Sequence, residues 1–439
     1  MDNPQDAAAG RSALRKASLR LLPLIGLGYG LAYMDRINIS FAALQMNQDL
    51  HFGATVYGFG AGVFFLSYAL FEIPSNLVLA RIGARRWIAR IMVTWGALAA
   101  GMMFVRTPLE FYVMRFLLGA AEAGFFPGVI YYLAQWFPSA HRGRAISRFY
   151  IAFPLSTVVM GALAGALLGL GGHLGLAGWQ WLFLAEGLPA VLMSAVILIG
   201  LPDRPADAPW LTQTEQRWLE AEVARDAAAP APGRHTLAGA LTNPLVLLLG
   251  LVNFCFLGST YAFTLSAPTI LKAATGLSVG GVGDLVAVAG LVGGLAMILN
   301  GWHSDRRGER FVHVAAPLAI LALGYLVIAY AAAPAPVMLA FGLTVAAGAA
   351  MQGAFWWSPA SLLAGRAAAV GIAAVNTIGM LGSFVSPMIW GLLRDRTGSY
   401  QLGTSLLPIP ILAAAGTMLL LRALTHERRG PATVSVAVE

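Results

Sequence analysis

Apolar residues in this chain gather into blocks of about 20, parted by short polar stretches, and the pattern recurs along nearly the whole length. Wound as helix, a block of that size rises far enough to cross a hydrocarbon core ~30 Å thick. Twelve spanning helices are predicted, over 21–46, 56–80, 88–105, 109–136, 145–170, 179–200, 244–271, 279–302, 312–332, 335–357, 368–393 and 403–422. Several contain Gly and Pro, as spans do where helices pack closely or bend. The one substantial hydrophilic stretch, PDRPADAPWLTQTEQRWLEAEVARDAAAPAPGRHTLAGALTNP, lies between the sixth and seventh spans. Its TQTEQRWLEAEVARD portion has a Thr cap and predicts an amphipathic helix; the Ala/Pro run after it reads as linker. The expected division is a tail (1–20), a six-helix bundle (21–200), a linker (201–243), a second six-helix bundle (244–425) and a closing tail (426–439).

Composition agrees with an all-α membrane protein. Of the 439 residues 58% are hydrophobic and only 11% charged, against about 25% charged in soluble domains; the mean hydropathy is +0.72. The net charge of +8 does not point to nucleic acid, because the basic residues are scattered through short loops and form no basic face. With the N-terminus placed inside, 22 of the 28 basic residues fall on the cytoplasmic side, and four (Arg106, Lys272, Arg394, Arg396) on the other. A miscounted span would scramble that asymmetry, so both termini are expected in the cytoplasm. The N-terminus shows no signal-peptide cleavage pattern, so the first span should be retained. The single cysteine, Cys255, has no partner for an internal disulfide and reads as a small core residue.

The two halves echo each other. NLVLARIGARR begins at Asn76 and GWHSDRRGER at Gly301. Shifted by 225 residues, Arg81 matches Arg306, Gly83 matches Gly308 and Arg85 matches Arg310, the mark of a duplicated six-span unit. These loops resemble the G-x-x-x-D-R-x-G-R-R signature of the major facilitator superfamily. The second copy keeps Gly301, Asp305 and Arg306; the first has Asn76 for the glycine and Ala80 for the aspartate. Four further segments are AYMDRINIS (32–40), FEIPSNLVLARIGARRWIAR (71–90), RFLLGAAEAGFFPGVIYYLAQWFP (115–138) and WQWLFLAEGLPA (179–190). Together they are similar to the anion:cation symporter family, whose bacterial members include tartrate, phthalate, aldonate, hexuronate and hydroxyphenylacetate permeases. The resemblance spans almost all of residues 15–425. It implies twelve helices in two pseudo-symmetric six-helix bundles, residence in a bacterial inner membrane, and a cytoplasmic latch built from Arg81, Arg85, Asp305 and Arg306.

Four charges fall well within spans: Asp35 and Arg36 in the first, Arg115 and Glu122 in the fourth. A charge at a helix centre costs roughly 2.5–3.5 kcal/mol on insertion scales, so chains keep one where it meets a partner or a water-filled cavity. Arg115 and Glu122 lie seven residues apart and share a helix face, and Gly119 and Gly124 leave room for another helix to approach. A structural ion pair between the first and fourth spans is the plainer reading. The functional one uses both signs: a cation to hold an anionic solute, a carboxylate to carry a proton. By resemblance, Arg36 is the anchor for a substrate carboxylate, Asp35 and Glu122 carry protons, and Arg115 is their switchable partner. Tyr33, Tyr68, Trp356 and Asn376, together with Asn253, are expected to complete the substrate site, with Asn38 and Tyr261 as further polar groups near it. Glu72 and Glu186 read as structural, near helix ends or between packed helices, and Asp284 as a rim residue.

The expected function is therefore proton-coupled uptake of a small organic anion (a hydroxy acid, sugar acid or aromatic acid) by alternating access. It needs no cofactor or metal beyond the proton motive force, with sodium coupling left open, and a lipid bilayer around a functional monomer. A drug/proton antiporter of the same superfamily is the alternative; the region FPLSTVVMGALAG lacks the G-P-x-x-G-G pattern of those members. A membrane enzyme is remote, since all seven histidines fall in loops, tails or helix ends and none sits with carboxylates at metal-ligand spacing.

Overall fold

The computed structural model describes residues 4–228, 242–356 and 366–427. Arg234, Arg428 and Arg429, three of the 22 basic residues expected on the cytoplasmic side, lie outside them. Twelve described helices are long and apolar enough to cross a membrane: α1 (Ala8–Asp49), α2 (Ala54–Ile82), α3 (Ala84–Phe104), α4 (Pro108–Ala134), α5 (Ser139–Leu168), α6 (Gly178–Gly200), α7 (Pro244–Thr264), α8 (Val279–Arg307), α9 (Phe311–Tyr330), α10 (Pro334–Phe355), α11 (Gly371–Thr397) and α12 (Gln401–Thr425).

Packing repeats with the sequence. In the first half α1 lies against α5 and α6, α2 against α4, and α3 against α4 and α6. Six helices on, α7 lies against α11 and α12, α8 against α10, and α9 against α10 and α12. The halves meet along two equivalent seams, α2 with α11 and α5 with α8. Both seams are built on glycine. A Cβ on Gly161 would sit 2.5 Å from the Gly283 carbonyl oxygen, and one on Gly58 2.3 Å from that of Pro387. Bare backbones let the helices approach closely where lipid supplies no hydrophobic drive for association.

Several of the described hydrogen bonds that cross between the bundles lie at the end opposite the chain termini. There the Asp395 carboxylate accepts from the backbone N–H groups of Ala54 and Thr55, at 3.0 and 2.7 Å, capping the start of α2 from the other half. Tyr57 donates its hydroxyl to the Leu265 carbonyl at 2.6 Å.

At the other end the duplicated loops behave alike. Gly83 and Gly308 both have positive φ, +98° and +62°, Gly308 in the left-handed helical region and Gly83, with ψ 150°, in an extended one. The Arg85 guanidinium donates to the Leu198 carbonyl near the end of α6, and the Arg85 N–H to Asp203. In the second half Glu309 pairs with Arg422 near the end of α12, while Arg310 bonds Asp305. Each loop thus ties into the last helix of its own bundle. Arg306 lies over the Trp302 ring, and Arg81 is exposed.

The amphipathic helix expected in the linker forms over Gln213–Ala228. Thr212 and Glu215 make a reciprocal capping box. The helix docks on the start of α1, where Glu215 accepts from Lys16 at 2.8 Å and Ser12 at 2.6 Å. Burial alone would raise the Glu215 carboxyl, but these bonds and the Thr212 N–H outweigh it and bring it down to about 2.

Candidate functional site

A central cavity between the bundles encloses about 1480 Å³ of empty space, its mouth included. Both halves supply its wall, and its polar groups stand among aromatic rings. Arg36, Tyr33 and Tyr68 come from the first half, and Tyr261, Gln352, Trp356 and Asn376 from the second. Among the lining residues Arg36 is the single Arg, Lys, His, Asp or Glu. An apolar cavity with one cation is electrostatically selective for an anion, because low-dielectric walls concentrate the field of that charge.

Arg36 is held from behind. Its Nε and Nη2 lie 2.8 and 2.6 Å from Glu122 Oε1, and its guanidinium sits 4.9 Å from the Tyr68 ring centroid. The other Glu122 oxygen, Oε2, is buried without a hydrogen-bond partner among the described residues. Local backbone explains how Glu122 arrives there. The helical segment Pro108–Glu122 ends at this residue, Ala123 leaves helical geometry, and Gly124 turns left-handed at φ +88° before Phe125 restarts the helix. A Cβ on Gly124 would meet Ser75 Oγ at 2.3 Å, so both the φ and the space call for glycine. Gly119 in turn lets α2 close in: a Cβ there would lie 2.2 Å from the Phe64 carbonyl oxygen. The continuous fourth span expected from sequence is therefore broken beside its carboxylate, as membrane helices are where the backbone serves a site.

Asp35 and Arg115 lie deeper in the first bundle. Each is 1% exposed, and neither lines the cavity. Asp35 Oδ1 accepts from Asn38 Nδ2 at 3.3 Å, and the Trp95 indole also lies near this carboxylate, whose Oδ2 makes no close hydrogen bond among the described residues. Arg115 lies 4.7 Å from the Phe64 ring centroid and donates to the Ala61 carbonyl at 3.5 Å, with Nε and Nη1 unpartnered. Its charge acts on Asp35 without an ion pair forming. Glu186, also buried, adjoins Asn38 and Asp35 with both oxygens unpartnered among the described residues. A pocket of under-satisfied charge thus backs the cavity behind α1.

Of the residues expected on the wall, Tyr33, Arg36, Tyr68, Trp356 and Asn376 are there, as is Tyr261, whereas Asn38 is fully buried behind it and does not line the cavity. Asn253 is not. It is 2% exposed and donates to the Val375 carbonyl at 3.1 Å, an interhelix bond between α7 and α11. Glu72, read from sequence as structural and between packed helices, reaches across the seam to Asn376, a wall residue: Nδ2 lies 3.0 and 3.1 Å from its two oxygens. A signal for this existed, since Glu72 follows Tyr68 by one helical turn on the same face. Tyr29, one turn before Tyr33, carried the same sign, whereas Tyr150, which also lines the cavity, carried none.

Comparison with known proteins agrees with this architecture. The model of the Major Facilitator Superfamily matches residues 25–387. A protein of Agrobacterium vitis named "Putative tartrate transporter" is 45% identical over 390 residues, covering 89% of this chain and 87% of that one. A quinolone resistance transporter of Acinetobacter baumannii is 38% identical over 403 residues, covering 92% and 93%. The xylose transporter XylE of E. coli, in a partially occluded inward open conformation, shares the fold with a TM-score of 0.72 at 14% identity, covering 92% of this chain and 98% of that one.

Proposed function

The chain belongs to the major facilitator superfamily of membrane transporters, and from that premise we propose that it takes up a small organic anion together with a proton. The observation that carries this reading is Arg36: the one cation among the described residues of the cavity wall, bonded from behind by a buried carboxylate. Tartrate transport in the name of a 45% identical relative supports a carboxylate as solute.

The coupling follows from competition for Arg36. A solute carboxylate entering the cavity takes donors from the guanidinium, whose planar fork suits it. Glu122 then shares its only partner, and its second oxygen already lacks one. A carboxylate left bare away from water keeps its place by taking a proton. Anion and proton thereby favour each other's binding, and by linkage the effect is reciprocal. Asp35, with Asn38 on one oxygen and Arg115 near by, is the second proton carrier, and Arg115 holds the bundle's charge balance as protons come and go.

Alternating access uses the two glycine seams. The end with Asp395 and Gly58 is closed, and it faces the periplasm if both termini lie in the cytoplasm of a bacterial inner membrane. Opening it and closing the cytoplasmic end would be a rocking of one bundle on the other. Each duplicated loop, with Arg85 on α6 and Glu309 on Arg422, keeps its bundle moving as one body.

Uptake by proteoliposomes tests this. An imposed inward proton gradient should drive accumulation of at least one of a panel of labelled hydroxy, sugar and aromatic acids. Acceleration by a sodium gradient alone would replace the proton by sodium. The quinolone resistance relative keeps proton-driven export in view: expulsion of the solute against the gradient would establish antiport instead.

A further inference from the structure

Glu72 and Asn376 form a side-chain hydrogen bond between the halves at the level of the cavity, and they fix something the sequence leaves open. A carboxylate only accepts, whereas a carboxamide has a donating and an accepting end. Both Glu72 oxygens stand at 3.0 and 3.1 Å from the same Asn376 nitrogen, and Glu72 is 5% exposed. Turned the other way, the amide would set its oxygen against two carboxylate oxygens with little water to relieve them. Which end of the amide faces Glu72 is thus decided by chemistry. Oδ1 is left as the free end of a residue that lines the cavity, and it accepts no hydrogen bond from a described residue.

We infer that Glu72 is a positioning residue that locks the Asn376 carbonyl oxygen toward the solute, so that the site selects anions bearing a hydroxyl group over their deoxy analogues. The inference rests on the organic-anion reading of the cavity. Arg36 supplies donors for the carboxylate, and Asn376, on the opposite bundle, supplies an acceptor that only a donor can satisfy. A hydroxyl on the solute donates to Oδ1. A solute carrying a methylene there removes water from Oδ1 and gives nothing back. A second carboxylate in that place would face an acceptor, so the same geometry disfavours it. Because the lock runs from α2 to α11, selectivity depends on both halves and on their contact at this seam.

Pairs of acids differing only in hydroxyl groups test the idea: tartrate with succinate, mandelate with phenylacetate, lactate with propionate. Uptake into proteoliposomes gives KM and maximal rate for each. The wild-type protein should favour the hydroxylated member of its best pair by about tenfold in KM. Glu72→Gln offers a donor as well as an acceptor, lets the Asn376 amide turn, and should bring that ratio close to one while the deoxy acid's KM moves by less than about threefold. Glu72→Asp, still an acceptor only, should keep the preference. Asn376→Ala, which removes the oxygen itself, should abolish it even if Glu72→Gln fails to reach the membrane. A wild-type protein indifferent to the hydroxyl, or a Glu72→Gln protein in which both acids weaken equally, overturns the assignment. Failure of every acid to be carried would instead overturn the organic-anion reading beneath it.

Discussion

Adding one carbon at Gly58 should unbalance the transport cycle. The Cβ of Gly58→Ala would stand 2.3 Å from the Pro387 carbonyl oxygen and 3.0 Å from its carbon, both backbone atoms that cannot rotate aside. Ordinary contact begins at 3.4 Å, so α2 and α11 must part by about 1 Å at the closed end, in the range where overpacking costs about 1–3 kcal/mol. The cost falls only on the state in which this end is shut, so it shifts the population away from that state by about 5- to 150-fold. Thr264, at the end of α7 and on the cavity wall, reports the change. With the single native cysteine replaced (Cys255→Ala), a Thr264→Cys protein should react slowly with an impermeant thiol reagent added from the side on which the Asp395 end lies. Adding Gly58→Ala should raise that rate at least about fivefold and lower the maximal transport rate. Gly26→Ala, whose Cβ meets nothing within 4 Å, should change neither. Unchanged labelling and transport in the Gly58→Ala protein would refute the view that this glycine seam is the closed gate.

Two further outcomes follow from the geometry. Arg36→Lys keeps the charge but loses the planar fork shared between Glu122 and the solute, so KM for the organic acid should rise by about tenfold or more in uptake assays. Glu215 is held at about 2 when folded, below the ordinary 4.5, so its contribution to docking the linker helix is present above about 4.5 and fades as the pH falls toward 2. Hydrogen exchange over Gln213–Ala228 should accelerate in that window, and Glu215→Gln should show the faster exchange already at neutral pH.

Much of the architecture was legible because membrane insertion writes it into composition. Hydropathy places the spans, and the loop arginines fix how many there are. The 225-residue echo marked a duplicated six-span unit, and the packing of α1 with α5 and α6 is indeed repeated by α7 with α11 and α12. The site was legible in membership more than in pairing. Buried charges announce themselves one by one, but which opposite charge each meets depends on helix rotation and bundle packing. Arg36 meets Glu122 from 86 positions away, while Asp35, its sequence neighbour, points instead toward Asn38. The break at Gly124 that ends the helix beside Glu122 looks, in sequence, like one more small residue in an apolar run. Asn253 and Glu72 show the same limit in opposite directions. An amide and a carboxylate inside a span each need a partner, and only the fold decides that Asn253 finds a backbone carbonyl while Glu72 finds the cavity wall.

Competition between solute and Glu122 for Arg36 is tested most directly by proton flux in reconstituted vesicles carrying a trapped pH indicator. Addition of the transported acid to wild-type vesicles should acidify the interior in step with anion uptake. With Glu122→Gln, the vesicles should still exchange labelled for unlabelled anion, yet show no coupled acidification and no accumulation driven by a pH gradient. Coupled proton entry that persists at the wild-type ratio in Glu122→Gln would contradict the account.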